Sequence, residues 1–311
     1  MSKYPISKEF FPYSLFSPPI RNAKMAGWMG SKMKPPKWIW SDKEVHVKRE
    51  TIKGYKDDPI EVFIFEPYGI EEPMPCLVYY HGGGFFFEGA EYHYKLAKEY
   101  ALKTPCMVIF VQYRLAPGNP HPVPVEDSYA ALRWTFENSQ KLNIIKSCIA
   151  VGGDSAGGCL AAAVCQMARD RNTDIPVFQL LVYPATDRRM ITESNLKYTD
   201  TQMWNSSLSR KMWPGYIQDE SAADIVYASP MEAECFDKLP AAYIETAEFD
   251  CLHDEGIEYG HVLQAAGTEV TFNETKGTIH GFDIVEKAPT TKKAVSDRIK
   301  FMQDKFYKII E

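Results

Sequence analysis

The feature that most constrains the fold of this chain is a turn of small residues between a strand and a helix. The segment 153–157 has the sequence Gly-Asp-Ser-Ala-Gly, follows an apolar stretch at 148–152 and precedes a run of small residues. So sharp a change of direction strains the backbone at Ser155 and projects its hydroxyl group above the sheet edge. A side chain at Gly153 or Gly157 would collide with the neighbouring strand or helix. The segment therefore predicts a serine presented at the carboxyl end of a strand.

Strands and helices alternate along most of the chain. Apolar runs typical of buried strands lie at 76–80, 106–113, 148–152, 177–183, 241–246 and 269–272, after two strand-like runs at 44–51 and 59–65. Segments predicted to be helical lie at 92–102, 125–138, 158–168 and 254–266, and a last helix begins near Thr291. Such alternation is typical of an α/β fold in which a central, mostly parallel sheet carries helices on both faces.

A glycine-rich loop follows the strand predicted at 76–80, with the sequence His-Gly-Gly-Gly-Phe over 81–85. In acyl transfer, negative charge develops on the substrate carbonyl oxygen, and losing one backbone N–H donor to that oxygen costs about 3 kcal/mol. A loop of this type, together with the residue after the serine, here Ala156, forms an oxyanion hole. The alternative is a flexible loop. Because the loop at 81–85 lies directly after a strand and upstream of the serine, we favour the oxyanion hole.

A nucleophilic serine needs an acid and a base from other parts of the chain. Asp250 follows the strand predicted at 241–246, where a carboxylate can orient a histidine. The ordinary alternative is an aspartate that caps the next helix. Asp254 and Glu255 compete for the acid role, but they lie a helical turn further on, so Asp250 is the preferred candidate.

The candidate base is His280, in the glycine-flanked loop 277–282 downstream of the candidate acid. An imidazole can take the proton of the serine and later give it to the leaving group. The order Ser155, Asp250, His280 is that of the α/β-hydrolase triad. The other histidines lack this setting; they are His46, His81, His93, His121, His253 and His261.

Charge and composition narrow the classes of function. The formal net charge is −6 and no basic stripe is present, so a nucleic-acid partner is not expected. No apolar run approaches roughly 18 residues and the N-terminus lacks a signal-peptide core, so we expect no transmembrane segment and a cytoplasmic location. Neither C-x-x-C nor H-E-x-x-H occurs, which leaves a metal site unsupported. Five cysteines in predicted strands and helices are expected to be reduced core thiols: Cys76, Cys106, Cys148, Cys159 and Cys165.

These motifs resemble those of the hormone-sensitive-lipase-like family of α/β-hydrolases, the group with HGGG and GDSAG motifs. Further segments that look like family positions lie at 113–117 (Tyr-Arg-Leu-Ala-Pro), 124–127, 183–187 and 250–256. The resemblance covers nearly the whole chain from the strand predicted at 59–65 onward. It implies an α/β-hydrolase fold with a helical cap, and hydrolysis of carboxylic esters, usually with short acyl chains, without a cofactor.

The resemblance also implies a role for each motif residue. The nucleophile, acid and base are, in that order, Ser155, Asp250 and His280. The implied oxyanion donors are the backbone N–H groups of Gly83, Gly84 and Ala156. The remaining motif positions have structural roles, with the histidine holding the glycine loop; they are His81, Gly82, Gly153, Asp154 and Gly157.

Two segments rich in aromatic residues and methionine are predicted to form the cap. Residues 1–40 are too apolar for a solvated tail, and residues 188–236 look helical and interrupt the alternation. The family builds its cap from such an N-terminal segment and such an insertion, which leaves 41–187 and 237–311 as the catalytic domain. For the insertion, an ordinary pair of peripheral helices is the alternative.

The sequence thus predicts a serine carboxylesterase that acts on a small-molecule ester through an acyl-enzyme intermediate. The same triad could cleave an amide or a thioester, because the attack and oxyanion steps are shared. A ligand-binding protein on a hydrolase fold is less favoured, since all three triad candidates are present. Some family members pair with a second copy, which leaves a homodimer open.

Overall fold

An eight-stranded sheet forms the centre of the computed structural model, which describes residues 3–219, 221 and 224–310. In chain order the strands are β1 Val45–Lys53, β2 Pro59–Pro67, β3 Met74–Tyr80, β4 Met107–Gln112, β5 Ile144–Asp154, β6 Phe178–Val182, β7 Ala241–Ala247 and β8 Val270–Thr275. Their order in the sheet is β1-β2-β4-β3-β5-β6-β7-β8. The pairs β1–β2 and β2–β4 are antiparallel, and all later pairs are parallel. The predicted α/β-hydrolase architecture, a mostly parallel sheet, is confirmed.

Helices cover both faces of this sheet. In chain order they are α1 Ala23–Gly30, α2 Glu91–Lys103, α3 Val123–Glu137, α4 Ala156–Asp170, α5 Glu193–Lys197, α6 Ser206–Tyr216, α7 His253–Ala265 and α8 Pro289–Ile310. The apolar faces of α3, α4 and α7 belong to one buried cluster, and those of α2 and α8 belong to the other. Parallel strands need such two-sided cover because both of their faces are buried.

Strand β3 illustrates how the sheet separates the two clusters. All seven of its residues are buried. Val78 and Tyr80 point into the cluster of α3 and α4, whereas Leu77 and Tyr79 point into the cluster of α2 and α8. This alternation follows from the two-residue period of a strand, and it explains why the strand is a continuous apolar run in the sequence.

The predicted elements match the observed ones, with differences at their ends. The strand predicted at 148–152 extends over Ile144–Asp154, and the helix after it begins at Ala156 rather than at 158. The strand predicted at 177–183 ends at Val182 because Tyr183 has a left-handed φ of +33°.

The two segments predicted to form a cap contact each other. The N–H of Met203 in the insertion donates to the carbonyl of Phe16 in the N-terminal segment, at 2.8 Å. Helix α1 also packs against α6. Within the predicted range 188–236, residues 220, 222 and 223 lie outside the described part of the chain.

Candidate active site

Ser155 occupies the turn between β5, which ends at Asp154, and α4, which begins at Ala156. Its backbone has φ 56° and ψ −119°, a region that residues other than glycine rarely adopt. Hydrogen bonds on both sides hold this conformation: the N–H of Ser155 donates to the carbonyl of Val182 at 2.8 Å, and its carbonyl accepts from Cys159 at 3.0 Å. Such strain persists only where the surrounding structure enforces it, and it is concentrated at functional sites.

Two glycines allow α4 to start against the end of β3. A Cβ atom at Gly157 would lie 1.9 Å from the carbonyl oxygen of Tyr80, and one at Gly153 would lie 2.4 Å from the same atom. Both distances are far below van der Waals contact, so the backbone would have to move. As predicted from the sequence, a side chain on either side of Ser155, at position 153 or 157, would therefore collide with the backbone.

Three side chains from separate parts of the chain form one hydrogen-bonded row. The Nε2 atom of His280 lies 2.8 Å from Oγ of Ser155, and its Nδ1 atom lies 2.7 Å from Oδ2 of Asp250. The other oxygen of Asp250 accepts from the N–H of Leu252 at 3.0 Å, and the carboxylate is fully buried. With a proton on Nδ1 shared with the carboxylate, Nε2 is free to accept the serine proton.

The competing carboxylates have other partners. Asp254 accepts from the N–H of Ser194 at 2.7 Å, and the buried Glu255 accepts from the N–H of Thr186 at 2.8 Å. Helix α7 begins at His253 with Leu252 as its N-cap residue, so the capping alternative for the aspartate at 250 does not hold.

The glycine loop and the start of α4 present unpaired backbone donors. Gly83 and Gly84 have φ values of +121° and +59°, a conformation that favours glycine. Within the described residues, no acceptor takes a hydrogen bond from the N–H groups of Gly83, Gly84 or Ala156. Ala156 also lies at a helix N-terminus, which carries partial positive charge. Gly84 and Ala156 line one cavity with Ser155, so these donors can serve a ligand oxygen.

Sequence reasoning missed the partners of Asp154. Its Oδ1 accepts from the N–H of Gly82 at 3.0 Å and from the hydroxyl of Tyr79 at 2.7 Å, and its Oδ2 lies 3.0 Å from Nε2 of His93. Burial acts to raise the pKa of Asp154, but His93, Tyr79 and Gly82 outweigh it and lower the pKa to about 2. The N–H of Ala90 donates to Nδ1 of His93 at 2.8 Å, which places the ring proton on Nε2. The network ties the serine turn to the glycine loop, and no local signal in the sequence singled out His93.

His81 packs inside the glycine loop. Its Nδ1 donates to the carbonyl of Gly82 at 2.8 Å, and its ring stacks on Tyr113 at 4.6 Å. Burial, and then the neighbouring His93, lower the pKa of His81 to about 4. A neutral, fully buried imidazole supports the structural role that the family resemblance implies for it.

A second buried network lies behind His280. The ring of Tyr183 meets the His280 ring edge-on at 4.8 Å, and its hydroxyl donates to Asp283 at 2.7 Å. Arg298 of α8 donates to the same carboxylate oxygen at 3.0 Å and also pairs with Glu245 of β7. These residues come from four separate segments, so their association was not apparent from the sequence.

Ser155 lies where two cavities meet. The larger has a volume of about 430 Å³ and the smaller of about 20 Å³, and Gly84 and Trp204 line both. The N-terminal segment and the insertion supply much of the walls. From these two segments, the residues that line the larger cavity are Phe16, Pro18, Pro19, Ile20, Met29, Met33, Met203 and Trp204.

Residues 3–219, 221 and 224–310 contain no group of three or more His, Cys, Asp or Glu side chains that could hold a metal ion. No helix in the same ranges has the length and apolarity needed to cross a membrane.

Comparisons with known proteins show the same fold and relatives that are esterases. A family profile described as alpha/beta hydrolase fold matches residues 77–284. Carboxylesterase NlhH of Mycobacterium tuberculosis is 35% identical over 245 residues, which cover 77% of this chain and 76% of that protein. A hyperthermophilic esterase from the archaeon Pyrobaculum calidifontis is 32% identical with a TM-score of 0.81, covering 91% of this chain and 92% of that one. A thermostable esterase from Pseudomonas putida is 26% identical with a TM-score of 0.83, covering 97% and 98%.

Proposed function

The chain belongs to the hormone-sensitive-lipase-like family of α/β-hydrolases and is an esterase, and we propose that it hydrolyses short-chain carboxylic esters through an acyl-enzyme intermediate. The observation that carries the proposal is the hydrogen-bonded row of Ser155, His280 and Asp250, with contacts of 2.8 and 2.7 Å. The row lies beside unpaired backbone donors and opens onto an apolar cavity.

In the first half of the reaction, Oγ of Ser155 attacks the ester carbonyl carbon while Nε2 of His280 takes the hydroxyl proton. Asp250 holds the ring in the required orientation and stabilises the imidazolium that forms. The N–H groups of Gly83, Gly84 and Ala156 donate to the developing oxyanion. The bond to the alcohol oxygen then breaks, and His280 returns the proton to the leaving alcohol, which leaves an acyl-serine.

In the second half, a water molecule replaces the alcohol. His280 takes one of its protons as the water oxygen attacks the acyl carbon, and the same backbone donors stabilise the second tetrahedral intermediate. The acid is released when the bond to Oγ breaks and the proton returns to Ser155. The protein ends the cycle unchanged, and no step needs a cofactor.

We further propose that residues 1–40 and 188–236 form a cap over the catalytic domain of 41–187 and 237–311. Support comes from the hydrogen bond between Met203 and Phe16 and from the wall that both segments contribute to the larger cavity. The cytoplasmic location and the homodimer stay predictions from the sequence.

The proposal is tested by hydrolysis of p-nitrophenyl esters from acetate to dodecanoate. We expect turnover of the short esters, and Ser155→Ala is expected to lose on the order of 10⁴-fold or more in kcat. Ser147→Ala is the matched control, because Ser147 is exposed on the same strand and should keep full activity. A folded wild-type protein with no turnover at any chain length would contradict the proposal.

Matched ester and amide substrates separate esterase from amidase activity.

A further inference from the structure

Glu88 is a carboxylate in the wall of the larger cavity. It lies just beyond the glycine loop, is half-buried, and lines the same cavity as Ser155 and His280. Within the described residues, no group donates a hydrogen bond to it or lies at ion-pair distance. Asp154, the other carboxylate of this wall, is already bound to His93, Tyr79 and the loop backbone. Of the two carboxylates in the described lining, Glu88 is therefore the one that remains available to a ligand.

The charged groups described in this cavity wall are carboxylates. Its described lining contains no lysine or arginine. A neighbouring cavity that Glu88 also lines contains Lys24, which is exposed, and Arg114, whose guanidinium is held by Asp127 at 2.8 and 2.9 Å. An anionic substrate would meet repulsion at this wall, whereas a cationic substrate would find an unpaired counter-ion.

The other walls also suit a cation with apolar substituents. Aromatic rings attract cations through the negative charge on their faces, and thioethers are polarisable. The cavity volume of about 430 Å³ leaves room for a trimethylammonium or similar group next to the reacting carbonyl. The aromatic and methionine residues of the lining are Phe16, Met29, Met33, Phe87, Tyr92, Met203 and Trp204.

We propose that Glu88 selects esters that carry an ammonium group in the part of the substrate held by the larger cavity. This inference rests on the proposed esterase function and names a substrate class for it. Burial, with a smaller effect of Glu61, raises the pKa of Glu88 to about 7. A bound cation favours the ionised carboxylate, because an opposite charge nearby lowers the pKa of an acid.

The test compares cationic esters with neutral esters of the same shape at pH 8.5. One pair is acetylcholine and 3,3-dimethylbutyl acetate, with the charge on the alcohol side. The other pair is ethyl 4-(trimethylammonio)butanoate and ethyl 5,5-dimethylhexanoate, with the charge on the acyl side. In at least one pair, wild-type kcat/KM should be about tenfold higher for the cation, as expected for about 1.4 kcal/mol of charge interaction. In Glu88→Gln the ratio should fall to about one, because kcat/KM decreases selectively for the cationic ester.

Glu91→Gln is the matched control, since Glu91 is an exposed carboxylate only three positions away on α2. It should keep the wild-type ratio. As a second readout, tetramethylammonium should inhibit p-nitrophenyl acetate hydrolysis competitively, with an inhibition constant about tenfold higher in Glu88→Gln; sodium at equal ionic strength corrects for salt. Equal ratios and equal inhibition in wild type and Glu88→Gln would overturn the inference. That result leaves the esterase function intact, because neutral esters are still cleaved.

Discussion

His81 and Asp154 support the proposed catalytic site through the glycine loop rather than through the serine hydroxyl. Both are buried, and both bind the backbone of Gly82, one at its carbonyl and one at its N–H. Their protonation differs because their surroundings differ: burial keeps the imidazole neutral, while three donors keep the carboxylate ionised. At the residue scale, the shape of the glycine loop is thus coupled to the charge state of buried groups.

This coupling predicts an acid-sensitive contribution of His81 to stability. The pKa of His81 is about 4 in the folded protein and about 6.5 in an unfolded chain. Between these values the unfolded state binds the extra proton, so the free energy of unfolding falls as pH drops from about 6.5 to 4, by up to about 3 kcal/mol. In His81→Phe, which keeps an aromatic ring but cannot titrate, this part of the pH dependence should be absent.

Urea denaturation of both proteins between pH 4.5 and 7.5 measures the effect. All other titrating groups are common to wild type and His81→Phe, so the difference in unfolding free energy isolates the histidine. That difference should shift in favour of the variant as pH falls. A difference that stays constant over this range would show that His81 does not resist protonation.

At the element scale, the decisive contact is between the start of α4 and the end of β3. The helix begins one residue after the serine, and its first turn lies against the carbonyl of Tyr80. This close approach lets a single strand–turn–helix unit present Ser155, the proposed nucleophile, together with the N–H of Ala156, a proposed oxyanion donor. The strand–turn–helix unit could be predicted from the sequence because glycine is required where α4 lies against the end of β3.

We predict that Gly157→Ala impairs both activity and stability. The added Cβ atom would lie 1.9 Å from the carbonyl oxygen of Tyr80, so the turn has to shift. Overpacking of this kind costs about 1–3 kcal/mol or more, and a displacement of about 1 Å at the nucleophile lowers kcat/KM about 100-fold. Steady-state kinetics and thermal denaturation test this.

Gly118→Ala provides the control for Gly157→Ala. A Cβ atom at Gly118 would have its nearest neighbour, the carbonyl oxygen of Leu115, at 3.9 Å, which is an ordinary contact. This variant should keep its activity and stability. Equal behaviour of the two variants would contradict the steric explanation of the serine turn.

At the scale of the whole molecule, the parallel sheet brings distant segments to one edge. Ser155 follows β5, Asp250 follows β7 and His280 follows β8, and the carboxyl ends of parallel strands meet on the same side. The last helix contributes from the other face of the sheet, where Arg298 joins Glu245 of β7 to the loop that carries the histidine.

We predict that Arg298→Met is strongly destabilising. Arg298 is buried, and its removal leaves the carboxylates of Glu245 and Asp283 without their counter-ion. Breaking a buried ion pair in this way costs about 3–5 kcal/mol. The midpoint of urea denaturation should fall accordingly, while Arg133→Met, which removes an exposed pair with Glu137, should change stability by less than about 1 kcal/mol. Similar losses in both variants would argue against a structural role for the buried pair.

The amino-acid sequence alone was enough to predict the alternating α/β architecture, the strand–turn–helix unit around Ser155 and the candidates Asp250 and His280. These features have signals that can be read along the chain. They are the apolar periodicity, the glycines where two backbone segments approach closely, and the order of the motifs. Three features became apparent only in the folded structure: His93 binds Asp154, Arg298 pairs with Asp283 in the loop that carries His280, and Glu88 lines the larger cavity with no partner among the described residues. The reason is that hydrogen-bond partners and cavity walls depend on which side chains converge in space, and residues far apart in the sequence carry no local sign of that convergence.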